Sequence, residues 1–255
     1  MPRKHRPGAA IAIAALAVTA ALPVQAEVDD SAHQYAACIN LTQRDPENAF
    51  ESALAWHDEG GGTPADHCAA MALVALGEYG EAATRLEALA DEMVRSNPDL
   101  VAQTLAQAAN AWMLADASGR AEAVLTAALE RAPEDPELLI DRARARAELG
   151  ILDEAVSDLD LVLSLDPTRA DALAFRAAAR RHLGQTELAL EDVETALVIN
   201  PGSVDALLER GILRRMEGDR DGARHDWMTI IEIAANTPAS DLARANIEQM
   251  DVRAD

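Results

Sequence analysis

Lysine is nearly absent. The 255-residue chain has one, Lys4, in its first ten residues. Against 22 Lys and Arg stand 44 Asp and Glu, a net charge of −22. A body this acidic repels nucleic acid and anionic lipid, and no basic stripe offsets it. Cysteine is almost as scarce: Cys38 and Cys68 are the only two. Neither a Cys-x-x-Cys nor a His-x-x-x-His pair occurs, so the tight spacing usual for zinc is missing. His33 with Cys38, and His67 with Cys68, are the nearest thing to a ligand set. No Ser or Cys stands with a recognisable base and orienting group, which argues against the triad hydrolases and leaves a hydrolase as the most distant alternative. Nothing points to a paired-carboxylate glycosidase. No enzyme activity and no cofactor are therefore expected.

Residues 1–26 read as a secretory signal. Arg3, Lys4, His5 and Arg6 form a basic head, and Ala9–Leu22 an apolar core of about fourteen residues, too short and Ala-rich for a membrane span. Val24-Gln25-Ala26 offers the small residues a signal peptidase reads, with cleavage expected after Ala26. The alternative is an uncleaved anchor. No Cys follows at the new N-terminus to carry a lipid. The mature chain keeps 19 of the 22 basic residues and all 44 acids, a net charge of −25, and no lysine. The expected location is the periplasm, with no membrane insertion after cleavage.

What the chain does have is a period. Pro133, Pro167 and Pro201 stand 34 apart, as do Gly150, Gly184 and Gly218, and Ala155, Ala189 and Ala223. A fixed step of this length means a repeat array. Within Ala170–Ser203, Leu173, Ala177, Arg180 and Leu183 keep helical spacing until Gly184. Ala189, Val193, Ala196 and Leu197 mark a second helix closed by Asn200-Pro201. Two short antiparallel helices follow from that pattern. One such hairpin cannot bury its apolar face alone, so neighbours must stack.

This unit resembles the tetratricopeptide repeat. The small-residue marks are Ala143, Ala177 and Gly211 in the first helix. In the second they are Ala155, Ala189 and Ala223, then Val162, Ala196 and Ile230. The family's aromatic preferences are mostly absent, since the chain has two Phe and two Tyr. The fold class expected is all-α: a right-handed α-solenoid of about six antiparallel helix pairs with a C-terminal capping helix. Residues 27–62 read as an atypical first hairpin, with Asp45-Pro46 opening its second helix and Gly60-Gly61-Gly62 breaking the chain as a linker. Residues 63–237 read as the array, regular from 136. Within it, the helix starting at Glu81-Ala82 runs a turn longer than the repeat requires, and Asn97-Pro98 caps the third pair. Residues 238–255 read as the cap.

Each regular unit carries two Arg four apart: Arg142/Arg146, Arg176/Arg180 and Arg210/Arg214. Its second helix carries one Asp: Asp158, Asp192 or Asp226. Many repeats of this family pair such groups. A ladder fixing the stacking register is one reading, and an anion-binding strip is the other. The resemblance also implies a concave groove lined by first helices. The groove positions would be Asn110, Met113, Ile140, Arg144, Glu148, Phe175, Arg181, His182, Leu208, Ile212, Arg215 and Met216. The alternative is that some of the apolar ones pack between helices. Such a mixed apolar and Arg lining suits a peptide with acidic and apolar side chains. The family's clamp for a terminal carboxylate needs groove Lys and Asn, and with no mature Lys it is not expected.

The function read from these features is an exported scaffold holding a protein or peptide partner of unknown identity, with no nucleic acid and no catalysis. A structural subunit of a cell-envelope complex is the alternative, and a small-anion or metal binder a more distant one. Cys38 and Cys68 fall on neighbouring first helices of the expected stack, in an oxidising compartment, so a disulfide is expected. Two buried thiols, or a metal site with His33 and His67, remain the alternatives.

Overall fold

The computed structural model describes residues 24–96 and 98–252. The basic head and apolar core of the expected signal, and Asn97 of the expected third cap, lie outside them. Among the described residues thirteen α-helices follow one another: α1 Val24–Thr42, α2 Pro46–Trp56, α3 Gly62–Leu76, α4 Tyr79–Ser96, α5 Pro98–Leu114, α6 Ser118–Leu129 and α7 Pro136–Glu148. Then come α8 Leu152–Leu165, α9 Ala170–His182, α10 Thr186–Ile199, α11 Val204–Glu217, α12 Arg220–Ile233 and α13 Pro238–Val252. They pack as six consecutive pairs, and α13 lies against α12 and α11. The architecture is an α-solenoid of helix pairs.

Local sequence explains the ends. Asp45 accepts from the Asn48 N–H with Pro46 at the first position of α2, and Asp135 accepts from Glu137 and Leu138 N–H ahead of Pro136. These side chains satisfy N–H groups that a helix start leaves unpaired. Gly150, Gly184 and Gly218 take φ of 75°, 76° and 90°, turning the chain between the helices of each regular pair in a conformation that a side chain disfavours. Around the Gly triplet the structure differs from the linker expected. A wide π-type turn over His57–Gly61 runs α2 almost directly into α3, kinked where Gly60 is non-helical.

The core is small and repeated rather than single. Ala143 shares a core cluster with Leu159 and Ala177 with Val193, Gly211 lies against Trp227, and all six are buried. The last pair shows why. A Cβ built on Gly211 would come 2.3 Å from the Trp227 indole nitrogen. The largest side chain of the row thus meets the residue with none, and the interhelical space stays filled. The Trp227 N–H reaches the Leu208 carbonyl at 3.4 Å, which gives its polar atom a partner.

The irregular half departs from this pattern. Helix α4 has 18 residues where α6 has 12 and α8, α10 and α12 have 14 each. Leu89, Ala90 and Met93 in its C-terminal half pack with Val101 of α5. Among the described residues no helix is long and apolar enough to cross a membrane.

Candidate functional site

First helices approach one another: α1 touches α3, α5 touches α7, α7 touches α9, α9 touches α11, and α11 touches α13. Among the described residues no two second helices pack to a comparable extent. A strip of hairpins whose first helices crowd together bends toward them, so α5, α7, α9 and α11 line the inner face.

The Arg/Asp groups hold this stack together. Arg142 grips Asp158 with Nε and Nη2 at 2.9 and 2.7 Å, and Arg146 Nη1 reaches the same carboxylate at 2.8 Å. Arg176 and Arg180 repeat this on Asp192, and Arg210 and Arg214 on Asp226. The three aspartates are 5%, 4% and 0% exposed. Each first Arg also reaches back to the preceding pair, from Arg142 to Thr126 at 3.3 Å, Arg176 to Asp160 at 2.6 Å and Arg210 to Glu194 at 3.2 Å. One guanidinium thus ties three helices, α6, α7 and α8 in the first case. Burial alone would lower the pKa of Arg176 and Arg210, but these carboxylate bonds raise both. Five of the six guanidinium Nε atoms have a carboxylate oxygen within 4.0 Å, but that of Arg180 is buried without a partner. Its counterpart on Arg146 bonds Glu122 at 3.2 Å. One repeat later the Glu122 position is Val156, which has nothing to accept with. The strip is therefore a register lock, with its charges already committed.

The predicted groove residues divide. Asn110, Arg144, Glu148, His182 and Met216 are exposed, and Met113, Phe175, Arg181, Leu208, Ile212 and Arg215 are half-buried. Ile140 does not line the groove: it is 4% exposed and belongs to the core with Leu138 and Leu139. The same position one repeat on, Ala174, is buried as well, so this side of the first helix packs inward. Met113, Leu208 and Ile212 lean on the core as well. The arginines are tied across helices. Arg181 of α9 pairs with the buried Glu209 of α11. Arg144 of α7 sits 5.6 Å over the Phe175 ring and 3.4 Å from Asp141. Arg215 bonds Gln249 of α13 at 2.9 Å and lies 5.9 Å over Trp227.

At the N-terminal end the fasteners are different. Cys38 of α1 and Cys68 of α3 are disulfide-bonded, with Cα atoms 6.2 Å apart. The Tyr35 hydroxyl meets His67 Nδ1 at 2.9 Å, and His67 Nε2 meets the Gln107 amide oxygen at 2.7 Å. Burial raises the Tyr35 pKa, so the phenol keeps its proton. The network is satisfied by a phenol that donates to Nδ1 and an Nε2–H that donates to Gln107. This chain links α1, α3 and α5. With both sulfurs joined and His67 committed, the Cys/His ligand set is used up. Among the described residues no group of three His, Cys, Asp or Glu is placed to hold a metal.

Two inner-face aspartates stand out from their sites. Burial raises the pKa of Asp141 against the pull of Arg144. Burial also raises Asp205, with Arg144 lowering it and Asp171 adding to the rise. Asp171 itself is lowered by its hydrogen bonds from Arg169.

Solved structures share this architecture. A thermophilic TPR protein from Thermus thermophilus matches with TM-score 0.54 at 21% identity, over 60% of this chain and 82% of that one. The fold is that of tetratricopeptide-repeat proteins. A tetratricopeptide repeat protein from Parabacteroides merdae matches with TM-score 0.54 at 23% identity, over 80% of this chain and 73% of that one. A MamA protein from Desulfovibrio magneticus matches with TM-score 0.56 at 16% identity, over 69% of this chain and 97% of that one. At these identities the likeness is one of fold. No protein-family model matches the sequence, and no curated relative does.

Proposed function

We propose that the chain is an exported, non-catalytic scaffold that holds an extended protein or peptide segment against its inner face. The observation that supports this most directly is the inner face itself. It runs across four first helices, exposes Asn110, Arg144, His182 and Met216, and keeps Phe175 half-buried between them. The basic head, apolar core and Val24-Gln25-Ala26 site support export, and a disulfide in a two-cysteine chain accords with an oxidising compartment. Ala178 stands one repeat after Arg144 on this face and is half-buried. Crosslinking in the cell envelope, followed by affinity capture, should recover a partner with the native chain and lose it with Ala178→Trp. Equal recovery with both chains would remove the groove from the function.

A second reading, a structural subunit of an envelope complex, is favoured by the outer side. Leu165, Ile199 and Ile233 recur at 34-residue steps near the ends of the second helices and are 45%, 40% and 52% exposed. Gentle extraction yielding a stoichiometric complex insensitive to Ala178→Trp would select this reading.

A further inference from the structure

The groove reading leaves the chemistry of the partner open, and the charges on the inner face narrow it. Its cations already have contacts, all but Arg215 with a carboxylate. Arg181 is held by Glu209, Arg215 by Gln249, and Arg144 by Asp141 and the face of Phe175. At the rim Arg169 bridges Glu137 at 2.9 Å and Asp171 at 2.6 Å. Except at Arg215, an acidic segment would have to compete with these carboxylates, against the sequence-based expectation of acidic side chains in the ligand.

The first-turn carboxylates outnumber their cations: Glu137 and Asp171 share Arg169, and Asp205 has none among the described residues. Glu137, Asp171 and Asp205 recur at one position, 34 residues apart, in the first turns of α7, α9 and α11. Glu137 is 73% exposed at its side chain and shares a single Arg. The Asp205 side chain reaches solvent although its neighbours strip part of its hydration, and among the described residues it makes no hydrogen bond or ion pair. An arriving cation would offset the desolvation that this carboxylate bears. Beside the row lie the half-buried Phe175 and Leu208, which offer apolar surface to aliphatic stems. The chain as a whole is strongly acidic, so its field draws cationic segments in from a distance.

We infer that the inner face from α7 to α11 takes an extended cationic segment of a partner protein. Its Lys or Arg side chains meet Glu137, Asp171 and Asp205, and its apolar groups lie on Phe175 and Leu208. Packed helices stand about 8–10 Å apart, and an extended chain advances about 3.3 Å per residue. One cation in roughly every third residue of the segment therefore matches one carboxylate per repeat.

This inference rests on the groove reading, and one titration separates the two. Three fluorescent ten-residue probes share a Leu/Ser background. One carries Arg at every third position, one carries Glu there, and one carries the same Arg residues clustered at one end. Anisotropy with the full mature chain should show the spaced Arg probe binding most tightly, with affinity falling as salt rises. Asp205→Asn and Glu137→Gln should each weaken it about fivefold, as expected for one exposed charge pair. Glu232→Gln on α12, outside the inner face, should leave it unchanged. Tighter binding of the Glu probe, lost in Ala178→Trp, would overturn the cationic partner and keep the groove. Arg-probe binding that is unaffected by Asp205→Asn and Glu137→Gln would overturn the site as placed. No binding of any probe would overturn both.

Discussion

The two halves of the solenoid are held by different chemistry. From α7 to α12 each pair repeats one device, two arginines on one buried aspartate, with a reach back to the preceding pair. From α1 to α5, among the described residues, that device is missing. A disulfide joins α1 to α3, and a Tyr35–His67–Gln107 chain extends the tie to α5. Stacked hairpins contact only their neighbours, so each interface needs its own fastener. Where the period is regular, one solution is copied. Where α4 runs long and the period slips, the interface is fastened by pairings peculiar to it. The difference makes the regular half sensitive to charge and the irregular half sensitive to redox state.

The largest effect should come from breaking a rung. Asp192→Ala leaves Arg176 and Arg180, whose side chains are 17% and 15% exposed, without their shared carboxylate. Removing one member of a buried ion group costs about 3–5 kcal/mol, and urea unfolding should show that loss. A rung replaced without cost would make the ladder decorative. Reducing the disulfide, or replacing both cysteines with Ser, comes next. Closing 30 residues of separation is worth roughly 3.6 kcal/mol in the chain-entropy model. The loss should appear as early melting of α1–α3 while α7–α12 hold, followed by circular dichroism together with proteolysis of the N-terminal pair.

A smaller effect is expected at His67. His67→Ala removes two hydrogen bonds and leaves Tyr35 and Gln107 to find water, costing about 1–3 kcal/mol. The oxidised chain should tolerate this better than the reduced one, since both devices hold the same interface. The smallest is Asp205→Asn. Burial raises the folded pKa of Asp205 above its unfolded value, with Arg144 of α7 opposing and Asp171 of α9 reinforcing. Its charged form therefore costs stability above the folded pKa, and that cost disappears as the pH falls through it. Asp205→Asn should raise the melting temperature slightly at neutral pH and not at all in acid. A gain that persists in acid would mean the charge is not the cause.

Much of the fold was legible because a repeat prints its constraints three times. The Gly184 turn, the Ala177 and Ala189 contacts and the Arg/Asp rungs each recur at one position. The inner face was harder to read because one position changes character along it. Gln107, Asp141, Phe175 and Glu209 are equivalent by the 34-residue step, yet they form a hydrogen bond to His67, a weak pair with Arg144, an Arg144-covered ring and a buried partner for Arg181. Ile140 was misplaced for a related reason: its counterparts Ala174 and Leu208 are buried and half-buried, so the position is neither face nor core by rule. The Tyr35–His67–Gln107 chain spans 32 and 40 residues, off the period on both sides because the helices there depart from regular lengths. Gly211 and Trp227 exchange volume against Ala177 and Val193, a compensation visible only once the two helices are in contact.

Hydrogen exchange with and without reductant tests the two-fastener account most directly. Amide protection reports local opening along the array, helix by helix. Reduction of Cys38–Cys68 should speed exchange in α1, α2 and α3, fade through α5, and leave α7–α12 at their oxidised rates. Exchange that rises equally from α1 to α12, or does not rise at all, would contradict the account.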